Sequence, residues 1–245
     1  MIKKIILFWL TIVAAGQLDA QEKSLFTGEI TVRKLCFPSK VPSIAMVEAK
    51  LDSVHLPFYP ITTVNWANFP YVPETQFRIA YNDDELFLQF VVREDYVRAT
   101  YSDDETSNPY EDSCVEFFWM PNEDGIYYNL EFNAIGTLLF QGGNSRRERY
   151  RFSNEITSQV RRTSSLGIEP FETRDDIDFW RLTVVIPLSL FSLSPVAPLE
   201  GRTVMANFYK CGDKLPTPHY VSWNPVGTER PNFHTPQYFG ILHFE

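Results

Sequence analysis

The chain has 245 residues, 44% of them hydrophobic and 15% aromatic, and a formal net charge of -9. That acidic balance disfavours nucleic acid and anionic membrane surfaces as partners, since both repel it. The length suffices to bury a full core as one domain, and no Gly/Ser-rich or Pro-rich linker divides it.

At the start, Lys3 and Lys4 precede an apolar run from Ile5 to Ala15 that is too short to span a bilayer comfortably. Residues 1–20 therefore read as a signal peptide cleaved after Ala20, although Leu18 is larger than the cleavage pattern prefers. No cysteine follows the apolar run within the signal, so a lipid anchor is not indicated. The expectation is a mature domain over 21–245, secreted or periplasmic, with no membrane span. Cys36, Cys114 and Cys211 allow at most one internal bridge, and their wide spacing matches no zinc pattern.

Strand signals dominate the mature chain. Phe77, Ile79 and Tyr81 alternate up to a turn at Asn82-Asp83-Asp84-Glu85, after which Leu86, Leu88, Phe90 and Val92 resume the pattern, giving a hairpin. This acidic turn and Asp103-Asp104-Glu105 offer the hard oxygen ligands calcium takes, so calcium is possible at either, although neither has EF-hand spacing and turn chemistry explains both.

The segment Glu111 to Thr137 reads as a second hairpin turning in Pro121 to Gly125. Val115, Phe117 and Trp119 alternate with Cys114, Glu116 and Phe118, and Tyr128, Leu130 and Phe132 alternate with Tyr127, Asn129 and Glu131. Only a register pairing residues of opposite parity, such as Phe117 with Tyr128, puts both apolar sets on one side. Glu116, Asn129 and Glu131 then share the other face, which suits a neutral polyol or a merely solvated sheet surface. Glu116 has apolar neighbours on its strand and must reach water, a ligand or a cation, because an unpaired buried carboxylate is costly.

Beyond it come a strand at Thr137 to Gln141, a basic loop with Arg146, Arg147 and Arg149 read as solvated, and a strand through Ile156 to Arg162. Trp180, Leu182, Val184 and Ile186 alternate up to Pro187, and Leu188 to Leu193 can form one short helical turn before Pro195. Arg202 to Cys211 and Phe239 to Phe244 are the last strands. The fold class is all-β, an antiparallel β-sandwich of jelly-roll or immunoglobulin-like type with little helix. Trp66, Trp119 and Trp180 sit in alternating apolar patterns and read as core.

Four segments together resemble the family 9 carbohydrate-binding modules, in the form found as single-domain secreted proteins of gut-type bacteria. They are FRIAYNDDELFLQF at Phe77 to Phe90, YEDSCVEFF at Tyr110 to Phe118, YYNLEFNAIG at Tyr127 to Gly136, and a closing region with NFYKCGD at Asn207 to Asp213, HYVSWNPV at His219 to Val226 and NFHTPQYFGILHF. The resemblance implies a non-catalytic β-sandwich that holds xylan- or glucan-derived sugar between two aromatic rings. Carried onto this chain, the rings are Trp223 and Tyr110, the latter where the family has tryptophan, with Glu116 accepting hydrogen bonds from sugar hydroxyls and Asn129 and Glu131 beside it. The partners it implies are a carbohydrate ligand and a separate glycoside hydrolase.

Two other function classes compete. Glu116 and Glu131 on adjacent strands could meet the carboxyl separation of a glycoside hydrolase, about 5 to 10 Å, but nothing in the sequence shows the burial that would tune them. A haem-binding redox domain would need axial ligands from His55, His219, His234, His243, Met46, Met120 or Met205, and no haem-attachment motif is present.

Overall fold

The computed structural model describes residues 28–245, and the expected signal peptide lies outside them. The first hairpin forms as its alternation dictates: Glu74–Tyr81 pairs antiparallel with Glu85–Arg93, with Ile79 opposite Leu88 and Tyr81 opposite Leu86. Asn82 closes the turn, its Oδ1 accepting from the amides of Asp84 and Glu85 at 2.9 and 2.7 Å. Trp180–Pro187 flanks the hairpin, and Arg161–Ser164 forms the outer edge of this half.

The other half is ordered Tyr150–Arg151, Leu138–Gly143, Tyr127–Asn133, Cys114–Met120, Thr203–Cys211 and Gly240–Phe244. Its inner face, with Phe117, Trp119, Leu130, Phe132 and Phe208, meets Phe77, Phe90, Leu88 and Trp180 of the first half in one aromatic-rich core. Phe77 and Phe208 stack across the gap with ring centroids 3.6 Å apart. The two layers therefore form a sandwich, with Trp119 and Trp180 fully buried between them.

The antiparallel expectation needs one correction. Glu29–Lys34 runs parallel to both neighbours, its first four residues along Gly240–Phe244 and its last two along Glu74–Tyr81, so a single 14-stranded sheet curls through this corner. Strand direction relative to a distant partner leaves no trace in a local hydrophobic pattern.

The Cys114–Met120 and Tyr127–Asn133 hairpin keeps the expected parity but not the exact register. Phe117 faces Leu130 rather than Tyr128, because the connection over residues 121–126 places the midpoint of the hairpin one residue later. The parity is what sends Glu116, Asn129 and Glu131 to the outer face.

Two helices replace expected coil or strand. Ile44–Ser53 is capped by Ser43, whose hydroxyl accepts from the Met46 amide at 3.2 Å, and it lays Val47 and Leu51 on Ala80, Phe87 and Val185 of the outer sheet face. Asn154–Thr157 is a short helix, so the strand expected from Ile156 starts only at Arg161. The expected turn after Pro187 is present as a 3-10 helix, Leu188–Leu190.

Protein groups engage both acidic turns. Asp83 pairs with Lys34 at 2.7 Å and Glu85 with Arg161 at 2.6 Å, while Asp104 accepts from the Leu138 amide at 2.8 Å and pairs with Arg162. Asp103 Oδ1 accepts from the Glu105 amide at 2.8 Å.

Candidate functional site

The outer face of the second half is not open to solvent. The loops before Glu74 and after Cys211 fold over it, and Trp66, Phe118, Tyr127, Tyr209, Phe233 and Phe239 form a second apolar cluster there. Trp66 belongs to this cluster, its Nε1 donating to the Thr228 carbonyl at 2.7 Å. Beside the cluster is a recess of about 350 Å³. Tyr110, Phe118, Tyr220 and Phe233 supply its apolar walls, Glu116, Glu131 and Asp213 its carboxyl groups, and Asn108, Gln141, Asn232 and Arg146 further polar groups.

Glu116 and Glu131 are direct cross-strand partners, and Asn129 faces Phe118 two pairs along. They are 2%, 4% and 0% exposed, so the solvated-face reading is overturned. Asn129 lies behind the recess and ties the face together, donating to Glu131 at 2.7 Å and to Gln141 at 3.3 Å. Arg149 completes that bracket. Its Nε donates to Asn129 Oδ1 at 2.9 Å, its NH2 to the Tyr127 carbonyl at 3.0 Å, and its guanidinium lies 4.1 Å from the Tyr127 ring centroid. The basic loop is thus partly structural rather than simply solvated, while Arg146 stays exposed at the recess.

Burial raises the carboxyl pKa values, since the charged form loses water. Glu131 is pushed up to about 7, with Asn129 and Arg149 opposing the shift. Glu116 is held well above its usual value by burial and by its neighbours Cys211 and Glu131, and the Cys211 thiol donates to it at 3.0 Å. Asp213 is also raised by burial, and its hydrogen bond with Tyr220 opposes this. A protonated carboxyl can both donate and accept, which is the pairing a hydroxyl group requires. His234, against Phe118 and Tyr127, is lowered to about 3 by burial and by the Arg149 charge, so it stays neutral there.

The structure brings Tyr110, Glu116 and Glu131 to this recess, with Asn129 immediately behind, but it does not bring Trp223. The strand Tyr220–Ser222 alternates like any other, so Tyr220 faces the recess cluster while Val221 enters the inter-sheet core. Trp223 continues the Val221 parity. It packs edge-on against Phe77 and Phe208 with centroids 6.0 and 5.9 Å away, and Gly28 and Gly240 leave the room its ring occupies. The expected Tyr110–Trp223 clamp is therefore corrected: Trp223 plugs the end of the core, and Tyr220 is the ring this strand offers to the recess. That exchange was readable in HYVSW, whereas Asp213 and Phe233 arrive from loops that carry no periodic signal.

Of the histidines weighed for haem, His219 has both ring nitrogens engaged, with Lys210 at 2.9 Å and the Thr217 carbonyl at 3.0 Å. Lys210 in turn pairs with Glu94 at 2.8 Å, and Trp180 Nε1 donates to the same carboxyl at 2.8 Å, a buried ionic network at the edge of the core.

Residues 45–244 match the family model described as Carbohydrate-binding family 9. The chain belongs to this carbohydrate-binding family. It is 45% identical, with a TM-score of 0.85, to a protein of known structure from Bacteroides uniformis to which carbohydrate binding has been attributed, over 89% of this chain and 100% of that one. A family 9 carbohydrate-binding module from Caldicellulosiruptor kristjanssonii, solved with cellotriose, shares the fold at 13% identity and a TM-score of 0.54, over 89% of this chain and 94% of that one. No curated protein matches the chain. Among the described residues no helix is long and apolar enough to cross a membrane.

Proposed function

We propose that the recess beside Glu116 and Glu131 binds a neutral saccharide, of the xylan- or glucan-derived kind, without cleaving it. The observation that carries this is an opening of about 350 Å³ lined both by the aromatic side chains of Tyr110, Tyr220 and Phe233 and by the two buried carboxyl groups of Glu116 and Glu131. Sugar rings present apolar C–H faces and a rim of hydroxyls. The first gain from burial against flat side chains at roughly 25 cal/mol per Å², and the second must recover from the protein the hydrogen bonds they lose to water. Neutral carboxyl groups, Asn232 and Gln141 can meet both donors and acceptors. Export of the mature chain by its N-terminal leader would place this module where polysaccharide is broken down, alongside a separate glycoside hydrolase.

One observation favours a hydrolytic reading: the Glu116–Glu131 pair has the burial and raised pKa values that sequence alone did not reveal. That chemistry also requires an ionised carboxylate as nucleophile or base, and both members of this pair are shifted toward the neutral form. Calorimetric titration with xylo- and gluco-oligosaccharides, run beside an assay for new reducing ends, separates the readings. Heat without cleavage is the expected result. Cleavage that disappears in Glu116→Gln would overturn it.

A further inference from the structure

Three side chains meet at the floor of the recess in a way that sugar binding does not require. Cys114 and Cys211 are direct partners on adjacent antiparallel strands, and Glu116 lies on the same face one alternation along from Cys114. Both sulfur atoms and a Glu116 carboxyl oxygen lie within 4.8 Å of one another, and all three residues are buried. Cys211 and Glu116 line the recess, which gives an entry path from solvent, and so does Glu131, the cross-strand partner of Glu116. Among the described residues, the one hydrogen bond Glu116 makes to a protein side chain is the weak thiol donation from Cys211 at 3.0 Å. A buried carboxyl with so poor a partner is a costly arrangement unless something else occupies the site.

We propose that Cys114, Cys211 and Glu116 form a binding site for a borderline-soft divalent cation of the zinc type, with the recess side of the ion left to water or Glu131. Two sulfur donors point away from calcium and magnesium, whose ligands are oxygen, and toward ions that accept thiolate. Zinc–sulfur bonds of about 2.3 Å and zinc–oxygen bonds of about 2.0 Å set tetrahedral ligand atoms about 3.5 to 3.8 Å apart. The present spacing reaches that by side-chain adjustments of about 1 Å, because the strand pairing already fixes the three Cβ positions. Two sulfur–metal bonds and one oxygen–metal bond form, and the two thiol protons and the Glu116 carboxyl proton leave to solvent, so no oxidant takes part. A Cys114–Cys211 disulfide would use the same sulfurs and exclude the ion. The site does not depend on the saccharide reading, since its ligands are defined by the strands.

The test uses the mature protein carrying Cys36→Ser, which removes the exposed thiol, reduced and stripped with chelator, then titrated with zinc and, as a spectroscopic probe, with cadmium. One equivalent of cadmium should bind with a thiolate-to-cadmium ultraviolet band and release of protons, and zinc should displace it and raise the thermal transition. Adding Cys211→Ser should weaken binding at least a hundredfold and remove most of the band. Glu116→Gln should weaken it about tenfold while keeping the band, and it serves as the test should the cysteine variant fail to fold. The proposal is overturned if the protein, with both thiols shown to be reduced by a count after denaturation, binds no stoichiometric zinc or cadmium. It is equally overturned if the band survives Cys211→Ser, or if the two cysteines are joined in a disulfide that reductant does not open in the native protein.

Discussion

Tyr220 and Trp223 are near neighbours on one edge of the sheet, yet they belong to different parts of the molecule. Trp223 points inward and packs, half-buried, edge-on against Phe77 and Phe208 at the end of the core, whereas Tyr220 points outward to a recess it shares with carboxyl groups. The same division runs along Cys114–Met120: Val115, Phe117 and Trp119 enter the core, while Cys114, Glu116 and Phe118 face the loops on the other side. Both faces are buried, but they differ in what fills them. The inner face is packed with rings and is stabilised by exclusion of water, and the outer face holds polar groups whose stability depends on partners and protonation. A residue's aromatic character therefore says little about its role here; its parity says more.

The largest effect should come from damage to the inner face. Trp223→Ala leaves a cavity beside the Phe77–Phe208 stack and should cost about 3 kcal/mol of unfolding free energy, measured by urea denaturation, while the folded fraction keeps its sugar affinity. A selective loss of affinity with unchanged stability would return Trp223 to the binding site and break the division.

Acid–base behaviour should distinguish the faces next. Glu116 and Glu131 have folded pKa values above their unfolded ones, so the folded state holds the extra protons. Their stabilising contribution is complete below the unfolded value and is lost as pH rises through the folded one. For Glu131 that window runs from its ordinary value of 4.5 to about 7. The thermal transition should fall by about 5 °C between about pH 5 and pH 8, and Glu131→Gln should flatten the slope. A slope unchanged by that substitution would show that the pair does not titrate in this way.

Smaller, and confined to the outer face, is the expected result for Tyr110→Ala. Losing one stacking ring should weaken oligosaccharide binding about tenfold by calorimetry, with less than about 1 kcal/mol lost in stability. Least of all, Arg146→Ala at the exposed rim should change stability by no more than about 0.5 kcal/mol and affinity for neutral sugars about twofold. A large affinity loss there would point instead to an acidic sugar as ligand.

Much of this architecture was legible because strand period and turn chemistry are local. The hairpin across Asn82–Glu85, the strand from Trp180 and the shared face of Glu116, Asn129 and Glu131 all follow from alternation and turn residues. The helix at Ile44–Ser53 also carried its signals, Ser43 as cap and Val47 with Leu51 one turn apart, but they are brief beside the surrounding strand pattern. The site was legible only in part. Glu116 and Glu131 were placed by their strands, whereas both rings, Tyr110 and Trp223, were assigned by a resemblance; Tyr110, in the 3-10 turn Pro109–Glu111, does reach the recess, and Trp223 follows the parity of its own segment into the core.

By itself, then, the sequence determined which residues alternate, where the chain turns and which side chains share a face, because these depend on neighbours within a few positions. Tertiary structure decided that the polar face is roofed by loops, that Cys114 meets Cys211, that Glu29–Lys34 runs parallel to both partners, and that the carboxyl groups are buried enough to favour their protons. Burial and long-range pairing are properties of distant segments brought together, and no local pattern encodes them.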